Sequence, residues 1–136
     1  MKNSNYYKVL FIIAGIWNLA AGIICWIGCV LMPDVFFKMF NMPLPSSLFP
    51  FHAMFWFIIA FGIGYIIVSR DITKNHGIIL IGMLAKILFL IDCIITLISK
   101  EANIMLLGTG IVDLIFAILF VEFLIKVKKV PSQTSN

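Results

Sequence analysis

Charge is what this sequence has least of: 12% of its residues are Asp, Glu, Lys or Arg, and only 6 are acidic. A soluble domain carries about a quarter charged residues and about half apolar ones. Here 62% of residues are hydrophobic and the mean hydropathy is +1.13. Such a chain cannot cover its own surface with groups that water tolerates, so a soluble globule is excluded. Alternation of apolar and polar residues over segments of about ten, the signature of a membrane β-barrel, is also missing. Helices, which pair their backbone groups internally, are the solution left in a bilayer. The expected fold class is all-α.

Other scarcities narrow the function. None of the 5 prolines lies inside a long apolar run. A transporter built on broken membrane helices would show such interruptions near the midplane. Of the 3 cysteines, Cys25 and Cys29 stand four apart and make no CxxC redox motif. The 2 histidines, His52 and His76, fall at opposite membrane faces and cannot share a metal or haem. No metal site is expected. There is no nucleotide motif, and no basic face with interleaved aromatics that would suit nucleic acid.

What the chain has instead is four long apolar runs, at about residues 9–32, 51–69, 77–98 and 102–125. Each is about 19 to 24 residues, enough to cross a hydrocarbon core of roughly 30 Å. The first is too long for a signal-peptide core and no small-residue cleavage site follows it, so it reads as a retained signal anchor. The expectation is one four-helix transmembrane domain over residues 1–136, with 131–136 as a disordered tail. Lys2, Lys8, Arg70, Lys74, Lys126, Lys128 and Lys129 lie on one side, and only Lys38 and Lys100 on the other. That asymmetry places both termini in the cytoplasm. The formal charge of +4 then serves insertion and contact with anionic headgroups.

The connections differ. Residues 70–76 form a short polar turn and Lys100-Glu101 a tighter one. Between the first two runs, Pro33 to Pro45 is too short to span and too apolar to be solvated. It reads as a short interfacial helix in the outer leaflet, or else as an apolar loop packed on the bundle. Small residues mark where membrane helices approach one another. Ala14, Asn18, Ala21, Cys25 and Gly28 form a stripe on the first helix. Ala60 and Gly64 mark the second, Gly82, Lys86 and Cys93 the third, and Gly110, Asp113 and Ala117 the fourth.

Two intramembrane charges fall on these stripes, and depth brings them together. At 1.5 Å per residue, Lys86 lies roughly 15 Å in, Asp113 roughly 18 Å and Asn18 roughly 14 Å. An unpaired charge there costs at least about 2.5–3.5 kcal/mol on insertion scales. A Lys86–Asp113 ion pair with Asn18 beside it is therefore expected, either as a structural lock or as an ion, proton or substrate site. In the outer half, Asp92 and His52 lie at similar levels and could pair or relay protons, or simply reach headgroups. With Cys25, Cys93 and Thr96 they would outline a pocket beneath the Pro33–Pro45 segment. A Cys25–Cys93 bond is conceivable there, although cysteines in membrane helices more often just pack. Glu122 and Lys126 suit a local helical salt bridge.

The layout resembles the small four-helix bacterial membrane proteins grouped as DoxX-like. The resemblance spans Val9 to Ile125. It rests on helix order and on Ala14-Gly15-Ile16-Trp17-Asn18, Phe61-Gly62-Ile63-Gly64-Tyr65 and Val112-Asp113-Leu114-Ile115-Phe116-Ala117. It implies a bacterial inner-membrane location. Some members of that broad family are subunits of quinone-linked sulfur oxidoreductases, while most are uncharacterised; no cofactor is expected, and the outer-half pocket would suit a quinone or a lipid. No catalytic residue carries over. Three function classes follow: an accessory subunit or binder of a lipid, quinone or other apolar ligand; an oligomeric transporter or channel component; and a membrane-embedded enzyme acting on an apolar substrate. The first asks least of the residues present. The partners it implies are membrane lipids, a second copy of the chain or a membrane partner subunit.

Overall fold

A computed structural model describes residues 4–128. The element order is α1 (Ser4–Leu31), α2 (Pro33–Met39), α3 (Phe49–Arg70), α4 (His76–Ile98) and α5 (Ile104–Lys128). No strand occurs among the described residues. Four of these helices, α1, α3, α4 and α5, are long and apolar enough to cross a membrane. The chain is a multi-pass membrane protein. Lys2, Lys129 and the tail from Pro131 lie outside the described residues.

The helices begin and end where local chemistry allows. α1 already runs from the first described residue, Ser4, five residues before the apolar run, with Tyr6 and Tyr7 in its first turns. Pro33 sits in the first turn of α2, and Pro50 in the first turn of α3. A missing N–H costs nothing at those positions. α5 starts at Ile104 rather than at Ala102, because Asn103 caps it: its Oδ1 accepts from the Met105 N–H at 3.0 Å. Asn41, Asn75 and Lys100 take positive φ angles of 58°, 60° and 59° at the three sharp corners. Asparagine tolerates that left-handed geometry better than most residues.

Packing divides the bundle into two ends. α1 lies closest to α3, where Gly15 and Gly62 face each other. A Cβ on Gly15 would stand 2.9 Å from the Gly62 carbonyl, and one on Gly62 would stand 3.0 Å from the Gly15 carbonyl. α4 pairs likewise with α5, the Cys93 thiol lying against Gly110. At the end bearing the α1 N-terminus, Tyr7, Phe11, Tyr65, Phe120 and Phe123 fill the space between the pairs, with Tyr65 only 1% exposed. Edge-to-face contacts join Tyr7 and Phe123 at 5.0 Å and Phe11 and Phe123 at 4.9 Å. Such pairs add about 0.5–1.5 kcal/mol beyond their buried area. That end is plugged.

The other end is built differently. There Cys29 of α1, Phe37 of α2 and Phe55 of α3 form a separate small core to which α4 and α5 contribute nothing. α2 is thus a helix, as its bracketing prolines suggested, and it also packs on the bundle. Phe37 is buried and Phe36 covers Gly28, while Val35 and Met39 remain exposed.

The small-residue stripes need correction on two helices. On α1 the buried positions are Ala14, Gly15, Asn18, Gly22 and Cys29, whereas Ala21, Cys25 and Gly28 are only half-buried. On α3, Gly62 meets α1 and Gly64 lies against Ile78 of α4 as a contact glycine, whereas Ala60 is exposed. The stripe is rotated by about one residue toward α3, since two facing glycines permit a closer backbone approach than alanine does. On α4 and α5, Gly82, Lys86, Cys93, Gly110 and Ala117 are buried as expected.

Candidate functional site

α4 carries Lys86 on its buried face, and α5 carries Asp113 opposite it. The Lys86 ammonium donates to Asp113 Oδ1 at 2.5 Å and to Asn18 Oδ1 of α1 at 3.1 Å. The Lys86 side chain is 5% exposed and that of Asp113 is 19% exposed. Asn18 Nδ2 reaches toward the Ile58 carbonyl of α3 at 3.5 Å. The cluster therefore ties four spans together at mid-height. Its two formal charges cancel, which is how a bilayer core tolerates ionised groups. The rings of Phe116 and Tyr65 flank the ammonium at 5.4 and 6.0 Å from their centroids, at cation–π range.

Above this cluster the two helix pairs diverge and leave a cavity of about 600 Å³. Pockets for small ligands span roughly 300–1,000 Å³ with mostly apolar walls and a few placed polar groups. Trp17, Ala21, Cys25, Phe57, Phe61 and Phe89 supply much of the wall. Lys86, Asp113 and Asn18 supply polar atoms to it. Its far end is covered by Phe36, Phe37 and Phe40 of the α2 segment and by Met42. Trp17, Phe57, Ala85 and Thr109 of the lining are exposed, so the cavity opens on the flank of the bundle.

One residue that holds the cover in place was missed in the sequence. Asn103 donates from its Nδ2 to the Met39 carbonyl at 2.8 Å and from its backbone N–H to the Phe40 carbonyl at 3.0 Å. The α4–α5 corner is thereby hydrogen-bonded to the end of α2. A lone Asn in the five-residue link between α4 and α5 gives no sequence signal beyond its capping preference. Tyr65 was missed too. It lines the cavity beside Lys86, and its ring crosses onto α4 where Gly82 leaves a notch. A Cβ on Gly82 would lie 2.0 Å from the Tyr65 hydroxyl oxygen.

The structure brings Lys86, Asp113 and Asn18 together but not His52 and Asp92. Asp92 is exposed on the outer flank of α4. His52 is half-buried near the start of α3, with its Nε2 enclosed and without a hydrogen-bond partner. Neither lines the cavity, and no bond joins them. Of the two alternatives, the acid–histidine pair is not formed. The reason is rotational, because depth along a helix says nothing about facing, and Asp92 stands next to Cys93, which takes the inward position. Thr96 donates back to the Asp92 and Cys93 carbonyls at 2.8 and 3.2 Å instead of facing the cavity. Cys25, Cys29 and Cys93 are all free. Cys25 lines the cavity while Cys93 faces α5, so the conceivable bond between them is absent. Glu122 and Lys126 do pair, at 2.5 Å, and the Tyr7 hydroxyl donates to Glu122 at 3.3 Å.

No group of three or more His, Cys, Asp or Glu side chains among the described residues could hold a metal ion. No family model, curated protein or solved structure matches this chain.

Proposed function

We propose that this protein binds a lipid, a quinone or another apolar ligand in the cavity, as a small membrane-embedded binder or accessory subunit. The observation that carries this reading is the joint presence of apolar walls, a lateral opening and the buried Lys86–Asp113–Asn18 cluster. Together they match an amphipath that arrives from the bilayer tail-first or head-first and parks its polar atom beside the ion pair. The seven-to-two excess of Lys and Arg puts the plugged end in the cytoplasm. The cavity then belongs to the outer half and fills from the outer leaflet. No proline interrupts the four spanning helices beyond the first turn of α3, which favours a binder over a transporter that rearranges broken helices.

Native mass spectrometry and solvent extraction of the protein purified in mild detergent test the reading. A co-purifying amphipath is expected, and Ala21→Trp, which fills the cavity, should remove it. Asp92→Ala should leave it in place. Protein that carries no amphipath, with spectra indifferent to Ala21→Trp, would overturn the proposal.

A further inference from the structure

The polar atoms left over in the cluster define the head of the ligand. The Lys86 ammonium has three N–H donors, and two are used by Asp113 and Asn18. Asp113 Oδ2 has no partner among the described residues. Neither does the Tyr65 hydroxyl, which belongs to a side chain only 1% exposed and lining the cavity. The floor therefore offers two donors, from Lys86 and Tyr65, and one acceptor, from Asp113. It offers them around an ion pair whose charges already cancel.

A charged head would disturb that balance. An anion would place a second negative charge beside Asp113, and a cation a second positive one beside Lys86. An uncompensated charge at this depth costs at least about 2.5–3.5 kcal/mol on insertion scales, a factor of roughly a hundred in binding. An uncharged oxygen meets no such penalty. A carbonyl can accept from Tyr65 and Lys86, and a hydroxyl can also donate to Asp113. Resting on the binding reading above, we infer that the site selects amphipaths with an uncharged carbonyl or hydroxyl head, and that Tyr65 is the residue which recognises that oxygen. Gly82 is part of the device: one helical turn before Lys86 on α4, it leaves the notch in which the Tyr65 hydroxyl lies, and the Tyr65 ring stands 6.0 Å from the ammonium.

The experiment uses one tail with three heads whose charge is fixed at any pH. Octadecanol, octadecyl sulfate and octadecyltrimethylammonium are offered together, in equal amounts, to delipidated protein in excess dodecyl maltoside. Native mass spectrometry counts the adducts. The octadecanol adduct should exceed each charged one by tenfold or more. Tyr65→Phe, which keeps the ring and its packing, should weaken octadecanol binding about fivefold, the loss expected for one hydrogen bond. It should leave the weak charged adducts unchanged. Equal adducts with all three heads, a preference for either ion, or an octadecanol adduct untouched by Tyr65→Phe would overturn the inference while leaving the binding reading standing. No adduct with any head would sink both.

Discussion

Replacing Lys86 with Met tests the centre of the structure. Met has a similar length and no charge, so the packing volume is nearly kept and the electrostatics change. Asp113 would lose its 2.5 Å partner, and Asn18 Oδ1 its 3.1 Å donor. Breaking a buried pair on one side costs about 3–5 kcal/mol, because the remaining charge is stranded. The Asp113 side chain is 19% exposed and borders the cavity, so the lower end of that range, about 3 kcal/mol, is expected. Asp113→Leu strands Lys86, which keeps only the neutral Asn18 oxygen, at a similar cost. The double variant Lys86→Met with Asp113→Leu removes both charges, so the two losses should not add. A net loss of about 1 kcal/mol, leaving a coupling of several kcal/mol, is the expected double-mutant cycle. Unfolding by dodecyl sulfate, followed by circular dichroism in mixed micelles, supplies the four free energies. If the single losses simply sum in the double variant, the ion pair contributes nothing and the cluster has been misread.

Three further outcomes are expected. Gly62→Ala should destabilise the protein by about 1–3 kcal/mol in the same unfolding assay, since its new methyl meets the Gly15 carbonyl and the Leu19 backbone. Gly108→Ala, where nothing lies within 4 Å, should be neutral or stabilise by up to about 1 kcal/mol, and a reversed order would contradict the α1–α3 contact. In the α3–α4 turn, hydrogen bonds from the Thr73 hydroxyl and from Lys74 hold the Asp71 carboxyl down at about 2. Because its folded value lies below the unfolded one, its support for the turn is present above a pH of about 4 and lost as pH falls through about 2. Thr73→Val should move the carboxyl back up toward the usual range in an NMR titration, and an unmoved value would remove Thr73 as the cause. For topology, single cysteines placed at Ser4 and Ser46 in a cysteine-free background should react with an impermeant maleimide in intact cells only at position 46. Labelling at position 4 instead would invert the orientation.

Much of the architecture was legible in one dimension. Hydropathy alone delimits the spanning helices to within a few residues, because a bilayer demands about twenty apolar residues whatever they pack against. Pro33 marks the start of α2 for an equally local reason, since proline is tolerated in a helix's first turn, and the left-handed Asn41 follows its end at Met39. The proximity of Lys86, Asp113 and Asn18 was also legible. Two opposite charges in hydrocarbon have few places to go, and equal depth on helices that must share a bundle leaves one pairing.

Rotation about the helix axes could be decided only by tertiary packing. Asp92 and His52 share a level as plausibly as Lys86 and Asp113 do, yet no bond joins them, with Asp92 exposed on α4 and His52 half-buried on α3. Lipid and protein neighbours are similarly apolar, so hydrophobic pattern does not say which face of a membrane helix turns inward. The facing glycines Gly15 and Gly62 set that angle for α1 and α3. With it they decide that Ala21 and Cys25 line a cavity instead of an interface. Tyr65 enters the site for the same reason: only a notch at Gly82 on another helix makes room for its hydroxyl there. The sequence by itself determined how many times the chain crosses and at what depth its charges lie; which side chains meet there was settled by where backbones come close enough to touch.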